Sequence, residues 1–152
     1  LEKDYQLIWQ TGKLDYKNIL EETKDIHSRN IQIVEFIKNM EMAYSAADVI
    51  VSRAGAIAIS ELAIAKKPVL LVPFPFAAED HQTKNAQTLV EKNAAKMVKD
   101  TEMKDKFWNT LSEICENEDL RTEMAQNLEF FAKPKATEEI VNEIFKNLNI
   151  KE

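Results

Sequence analysis

Short apolar runs alternate with stretches whose apolar residues recur at helical spacing. Gln6 to Trp9, Ile31 to Phe36, Asp48 to Ser52, Pro68 to Phe74 and Ala94 to Val98 read as five strands. Between and after them the pattern predicts helices over Asp15–His27, Asn39–Ala47, Ala56–Ala65, His81–Lys92, Met103–Glu116, Asp119–Ala132 and Thr137–Leu148. Pro68 to Phe74 is continuously apolar, which predicts burial on both faces, as in a parallel sheet. Phe107, Leu111 and Ile114 mark the core face of a later helix. Thr137 reads as the cap of the last helix, with Glu138 and Glu139 in its first turn. Strand alternating with helix predicts an α/β fold, a Rossmann-like parallel sheet with flanking helices, in a single domain over 1–152.

Two places on this map carry candidate chemistry. The chain has two glycines in 152 residues, and one of them, Gly55, stands where the third strand meets a helix. A residue without a Cβ lets the backbone turn sharply and lets a ligand approach closely. The helix beginning at Ala56 presents unpaired N–H groups and a partial positive charge, so an anion such as a diphosphate suits that spot. Ala56 and Ala58 are small and keep the helix end open; Ile57 and Ala58 share a face with Glu61. A carboxylate accepts two hydrogen bonds and suits a ribose diol, but position alone favours Glu61 as a solvated acid near a positive helix end. The second place is PFPFAAEDHQTKNA, Pro73 to Ala86. Its prolines stiffen the strand exit, and Asp80 is placed to cap a helix starting at His81. His81 and Gln82 then stand at a second helix N-terminus on the same strand-end edge, where open α/β sheets bind ligands. A plain capped loop is the alternative there.

Composition narrows the partners. A net charge of −6 disfavours a nucleic-acid backbone as ligand. One cysteine, Cys115, excludes an internal disulfide and reads as a buried core thiol; His27 reads as a surface residue. Two histidines and no paired acidic motif give no metal signature, and no cofactor is expected. No run is long and apolar enough to span a bilayer. The start, LEKDYQLIW, resembles no signal peptide, and the absence of an initial Met points to a partial chain. The residues alone therefore describe a nucleotide or nucleotide-sugar site.

ADVIVSRAGAIAISELAIAKKPVLLVPFPFAAEDHQTKNA resembles the donor-site half of the MurG family of peptidoglycan glycosyltransferases. The resemblance extends from IWQTGK, through VEFIKNMEMAYSAADVIVSRAGA, to KPKATEEIV, nearly the whole chain. It implies the C-terminal half of a GT-B fold, lacking its first strand and Gly-rich loop, and a family reaction that moves N-acetylglucosamine from UDP-N-acetylglucosamine onto lipid I to make lipid II. It further implies that the backbone of Ile37, beside Phe36, meets the uracil edge, and that the helix start from Gly55 through Ala56 and Ile57 to Ala58 faces the diphosphate. Glu61 would hold the ribose hydroxyls, and His81 and Gln82 the N-acetylglucosamine hydroxyls. The lipid I acceptor and the catalytic base would belong to an absent N-terminal domain, and the whole enzyme would sit peripherally on the cytoplasmic face of the bacterial inner membrane. This segment alone would be soluble and inactive in transfer. With a central strand absent, unpaired sheet edges invite an oligomer or strand exchange. The remaining alternatives are the donor half of another GT-B UDP-sugar transferase and a non-catalytic nucleotide-binding module.

Overall fold

The computed structural model describes residues 5–148, which divide between Ala43 and Tyr44 into two compact units. In the first, β1 (Leu7–Gln10) and β2 (Ile31–Val34) pair in parallel, with Leu7 opposite Ile31 and Gln10 opposite Val34. The crossover between them is α1 (Tyr16–Glu22). After β1 the N–H groups of Thr11 and Gly12 extend the ladder to the carbonyls of Val34 and Glu35. Gly12 then takes φ +77°, a left-handed conformation that needs glycine. The helix predicted over Asp15–His27 stops at Glu22. There the Thr23 hydroxyl turns back onto the Ile19 carbonyl at 2.6 Å, and Leu20 and Ile26 stay exposed. No described residue of this unit is buried, because two strands and a seven-residue helix have too little apolar area to enclose one another. Even Leu7, Ile8 and Trp9 on β1 are exposed.

Helix α2 (Met40–Ala46) carries the chain from the first unit into the second. Asn39 starts it, its side chain accepting from the Met42 N–H. The second unit holds β3 (Ile50–Ser52), β4 (Val69–Leu71) and β5 (Lys96–Met97), all parallel in the order β3-β4-β5. The crossovers are α3 (Ala56–Ala65) and α4 (His81–Val90). The described part ends with α5 (Met103–Glu116), α6 (Glu118–Leu128) and α7 (Ala136–Asn147). The alternation of side chains along β4 divides the core in two. Val69 and Leu71 join Leu62, Ala86, Leu89 and Leu128 on one face, while Leu70 joins Ile114 and Met124 on the other, with Phe107 and Leu111 against them. The expected burial of this strand on both faces is therefore observed.

Parallel sheets flanked by helices confirm the α/β reading, but as a two-stranded and a three-stranded sheet. The sequence pattern overextends the strands: ladder pairing covers Val69–Leu71 within the apolar run from Pro68 to Phe74. Thr137 does not cap the last helix. The helix begins at Ala136, with Lys135 in the cap position and no side-chain cap, so Thr137 lies inside the first turn, where Glu138 and Glu139 also stand as expected. Cys115 is half-buried rather than fully enclosed, one position past the buried Ile114, and His27 is exposed as expected.

Candidate functional site

The exits of β3 and β4 are held together by side chains. Gln82, at the start of α4, accepts through Oε1 from the Ala54 N–H at 3.2 Å and from the Phe74 N–H at 3.0 Å. Asn85, one turn on, donates to the Ala54 carbonyl at 3.1 Å. The turn after β3 and the turn after β4 are thereby fixed to the same helix. Arg53 secures them from elsewhere. Its guanidinium donates to the carbonyls of Val72 and Pro73, each at 3.2 Å, pairs with Asp100 at 2.7 Å, and lies 5.6 Å from the centre of the Phe74 ring. Phe76 meets Phe74 edge-on at 5.7 Å.

What these clasps hold open is a cleft of about 520 Å³ lined by Gly55, Ala56, Ala77, Ala78, His81, Gln82 and Asn85. Two helices, each of ten residues, begin at this cleft. The N–H groups of a first helical turn have no acceptor within their own helix, so both ends carry partial positive charge; at α4 the preceding turn of 3-10 helix, Ala78–Asp80, already takes the His81 N–H on the Ala78 carbonyl. Gly55 precedes α3 with φ −68° and ψ 149°, an extended conformation open to any residue. The conformational freedom expected to matter at this glycine is therefore not used by its backbone. A Cβ built on Gly55 meets no atom within 4 Å. Neither strain nor packing within the protein requires glycine, so the space left open beside the cleft is the physical consequence of having it.

Four of the expected site residues, Gly55, Ala56, His81 and Gln82, come together here. Ile57, Ala58 and Glu61 belong to the same helix but do not line the cleft; Ile57 is 79% exposed. Glu61 is an exposed carboxylate whose Oε2 accepts from the Tyr44 hydroxyl at 3.1 Å. Burial first, then this hydrogen bond and the Glu61 charge, push the Tyr44 phenol up to about 12. Phe36 and Ile37 belong to the first unit. Phe36 is 69% exposed, so it is no core residue. The Ile37 N–H donates to Gln10 Oε1 at 2.8 Å, so that backbone donor is already engaged.

Asp80 occupies the position before α4 but makes no cap. Its backbone is left-handed at φ 56°, after Glu79 at φ 50°, and its side chain accepts nothing from the helix. Two successive non-glycine residues in this region cost roughly 1–2 kcal/mol each. His81 Nε2 lies 3.5 Å from Glu79. Arg53, Asn85 and Tyr44 contact these residues or the turns that carry them, and the sequence pattern does not single them out. Asn85 has a readable signal, since it stands three residues after Gln82 and so on the same helix face. Among the described residues no group of three or more His, Cys, Asp or Glu is placed to hold a metal ion.

Known proteins resemble this chain over most of its length. Residues 1–140 match the glycosyltransferase family 28 C-terminal domain. A UDP-N-acetylglucosamine–N-acetylmuramyl-(pentapeptide) pyrophosphoryl-undecaprenol N-acetylglucosamine transferase from Cytophaga hutchinsonii is 48% identical over 144 residues, 95% of this chain and 38% of the relative. The equally named protein of Bacteroides fragilis is 44% identical over 94% of this chain and 38% of its own. The crystal structure of Acinetobacter baumannii MurG superposes with a TM-score of 0.81 at 36% identity, over 96% of this chain and 42% of that one. The chain thus spans about two fifths of the length of these relatives.

Proposed function

Because the chain belongs to the glycosyltransferase family 28 C-terminal domain family, we propose that it is the donor-binding part of an inverting transferase that moves N-acetylglucosamine from UDP-N-acetylglucosamine onto lipid I. The observation that carries this reading is the convergence of two helix N-termini and an uncrowded Gly55 on one cleft. Such a cleft suits an anion held by backbone donors. In the reaction an acceptor hydroxyl attacks the anomeric carbon, the bond to the diphosphate breaks, and negative charge grows on the departing UDP. Donors already fixed in place stabilise that charge without reorganising, and this is the part of catalysis assigned to the chain.

Each residue takes a role consistent with its surroundings. The helix start at Gly55, Ala56, Ile57 and Ala58 faces the diphosphate, and Glu61 accepts from the ribose hydroxyls. His81 and Gln82 serve the sugar hydroxyls. Gln82 does so through its Nε2 donor, since Oε1 already serves Ala54 and Phe74. Ile37 and Phe36 meet the uracil. With its N–H given to Gln10, Ile37 offers its carbonyl unless the ligand displaces Gln10. The acceptor and the catalytic base belong to the remaining length seen in the relatives. The whole enzyme acts peripherally at the cytoplasmic membrane face; among the described residues no helix is long and apolar enough to cross a membrane. The open edges of the two sheets and the exposed β1 lead the isolated chain to self-associate by edge pairing or strand exchange.

Titration of the chain with UDP-N-acetylglucosamine, UDP and ATP, followed by amide NMR, tests this. Shifts at Ile37, Gly55 and Glu61 with the uridine ligands alone, weakened in Glu61→Ala, are expected. An equal response to ATP would replace the reading with a general nucleotide module. No response from folded chain would remove the donor assignment from this segment.

A further inference from the structure

We propose that Tyr44 is a positioning residue for Glu61, and that through it the site prefers a ribonucleotide to its 2′-deoxy counterpart. The inference rests on the donor-binding reading above and deepens it. Glu61 is exposed on α3, where a glutamate is free to sample several staggered rotamers. A carboxylate that must take two hydroxyl donors at once gains from being held in one orientation beforehand. Tyr44 supplies that hold. Its ring packs against the core cluster containing Leu62, the residue next to Glu61, and its hydroxyl donates to Glu61 Oε2 at 3.1 Å. The phenol is thus anchored at its ring end and fixes the carboxylate at the other.

The chemistry of the donor also matters. Among the described residues no Lys, Arg or His pairs with Glu61, and Oε1 has no partner. A neutral hydroxyl orients the carboxylate without cancelling its charge, as an ammonium would. Oε1 keeps both acceptor directions and Oε2 keeps one, enough for the two O–H donors of a vicinal diol. With one hydroxyl removed from the ligand, half of what the orientation serves is gone. The effect of Tyr44 is therefore coupled to the 2′-hydroxyl.

Tyr44→Phe retains the packed ring and removes only the donor. Affinities of the chain for UDP and 2′-deoxy-UDP are measured in wild type, Tyr44→Phe and Glu61→Ala. Wild type is expected to prefer UDP, and Glu61→Ala to abolish the preference. Tyr44→Phe should weaken UDP binding about 3- to 10-fold while changing 2′-deoxy-UDP binding less than about twofold. A Tyr44→Phe chain that keeps the full preference while Glu61→Ala loses it overturns the inference and leaves the donor reading standing. Equal weakening of both ligands overturns it too, since that is general damage to the fold. Absence of wild-type binding, or a preference unchanged in Glu61→Ala, removes the donor reading and this inference with it. Should Tyr44→Phe melt early, Glu61→Gln decides. It leaves the ring in place and removes the carboxylate charge beside the phenol, so the phenol ionisation falls from about 12; an unchanged ionisation overturns the inference, because Glu61 then does not lie against Tyr44.

Discussion

Replacing Gly55 by alanine separates a glycine kept for the fold from one kept for a ligand. Its backbone angles, φ −68° and ψ 149°, suit alanine, and the added Cβ meets nothing within 4 Å. Two small terms then oppose one another. At a helix N-cap, alanine is worse than glycine by roughly 0.5–1 kcal/mol. Alanine also restricts the unfolded chain, a gain of about 0.4–1 kcal/mol. The net change lies within about 0.5 kcal/mol, which moves the melting midpoint of a chain this size by no more than about 2 °C. Binding behaves differently. The methyl group projects beside the donors at the start of α3. Breaking a charge-assisted hydrogen bond there costs about 1.5–3 kcal/mol, or roughly 10- to 150-fold in UDP affinity.

Calorimetric melting and UDP titration of wild type and Gly55→Ala give both quantities. Unchanged melting with at least tenfold weaker binding is the expected pair. A midpoint lowered by more than about 5 °C would show that the fold itself demands glycine, contrary to the geometry. Unchanged binding would show that no ligand comes near the helix start, and the assignment of Gly55, Ala56, Ile57 and Ala58 would go with it.

Gln82 should act as a structural clasp as well as a ligand-binding group. Gln82→Ala strands two backbone N–H groups, one on the fully buried Ala54. It should cost about 1–3 kcal/mol, whereas Gln82→Glu keeps the accepting oxygen, melts near wild type and repels the anion. A Gln82→Ala melt like wild type in calorimetry would refute the clasp. Tyr44 predicts an alkaline effect. Its phenol, ordinarily near 10.0, is raised to about 12 in the fold, so the folded chain holds the proton more tightly. The resulting stability is complete below pH 10 and is lost as the pH rises through 12. Denaturant midpoints should therefore fall less steeply above pH 10 in Tyr44→Phe than in wild type; an identical alkaline loss in both chains would rule the linkage out.

Helices bounded by clear signals in the sequence were legible to the residue. The bounds of α3 follow from Gly55 before it and Lys66-Lys67-Pro68 after it, and α5 from its periodic Phe107, Leu111 and Ile114. Periodicity misleads where it lacks a surface to pack on. Leu20 and Ile26 continue the apolar pattern of α1, yet both are exposed and the helix ends at Glu22. Leu7, Ile8 and Trp9 form an apolar strand pattern and are likewise exposed. Caps are hard to read because they depend on backbone angles. Asp80 has a capping residue type at the right position, but its φ of 56° turns the side chain away from the task. Residue types at the cleft were readable, since Gly55 and His81 each sit at a strand-to-helix junction. The interactions fixing them were not: Arg53 to Asp100 and Tyr44 to Glu61 join residues 47 and 17 positions apart, and one sequence carries no period at such distances.

The charge balance sets a condition on how this cleft could hold a diphosphate. The chain carries −6 overall, and none of the residues lining the cleft is Lys or Arg. Arg53, the cation nearest in sequence to Gly55, spends its guanidinium on Asp100 and on the carbonyls of Val72 and Pro73. Long-range attraction of an anion is therefore weak here, and the favourable field comes from helix ends that act only within about a turn. Such donors discriminate by distance: a group that fits against them gains, and one held a few ångströms away does not. That gives the empty space at Gly55 its importance, and gives the clasps of Gln82 and Asn85 theirs, because a site built from backbone donors works only while the two strand exits stay in register.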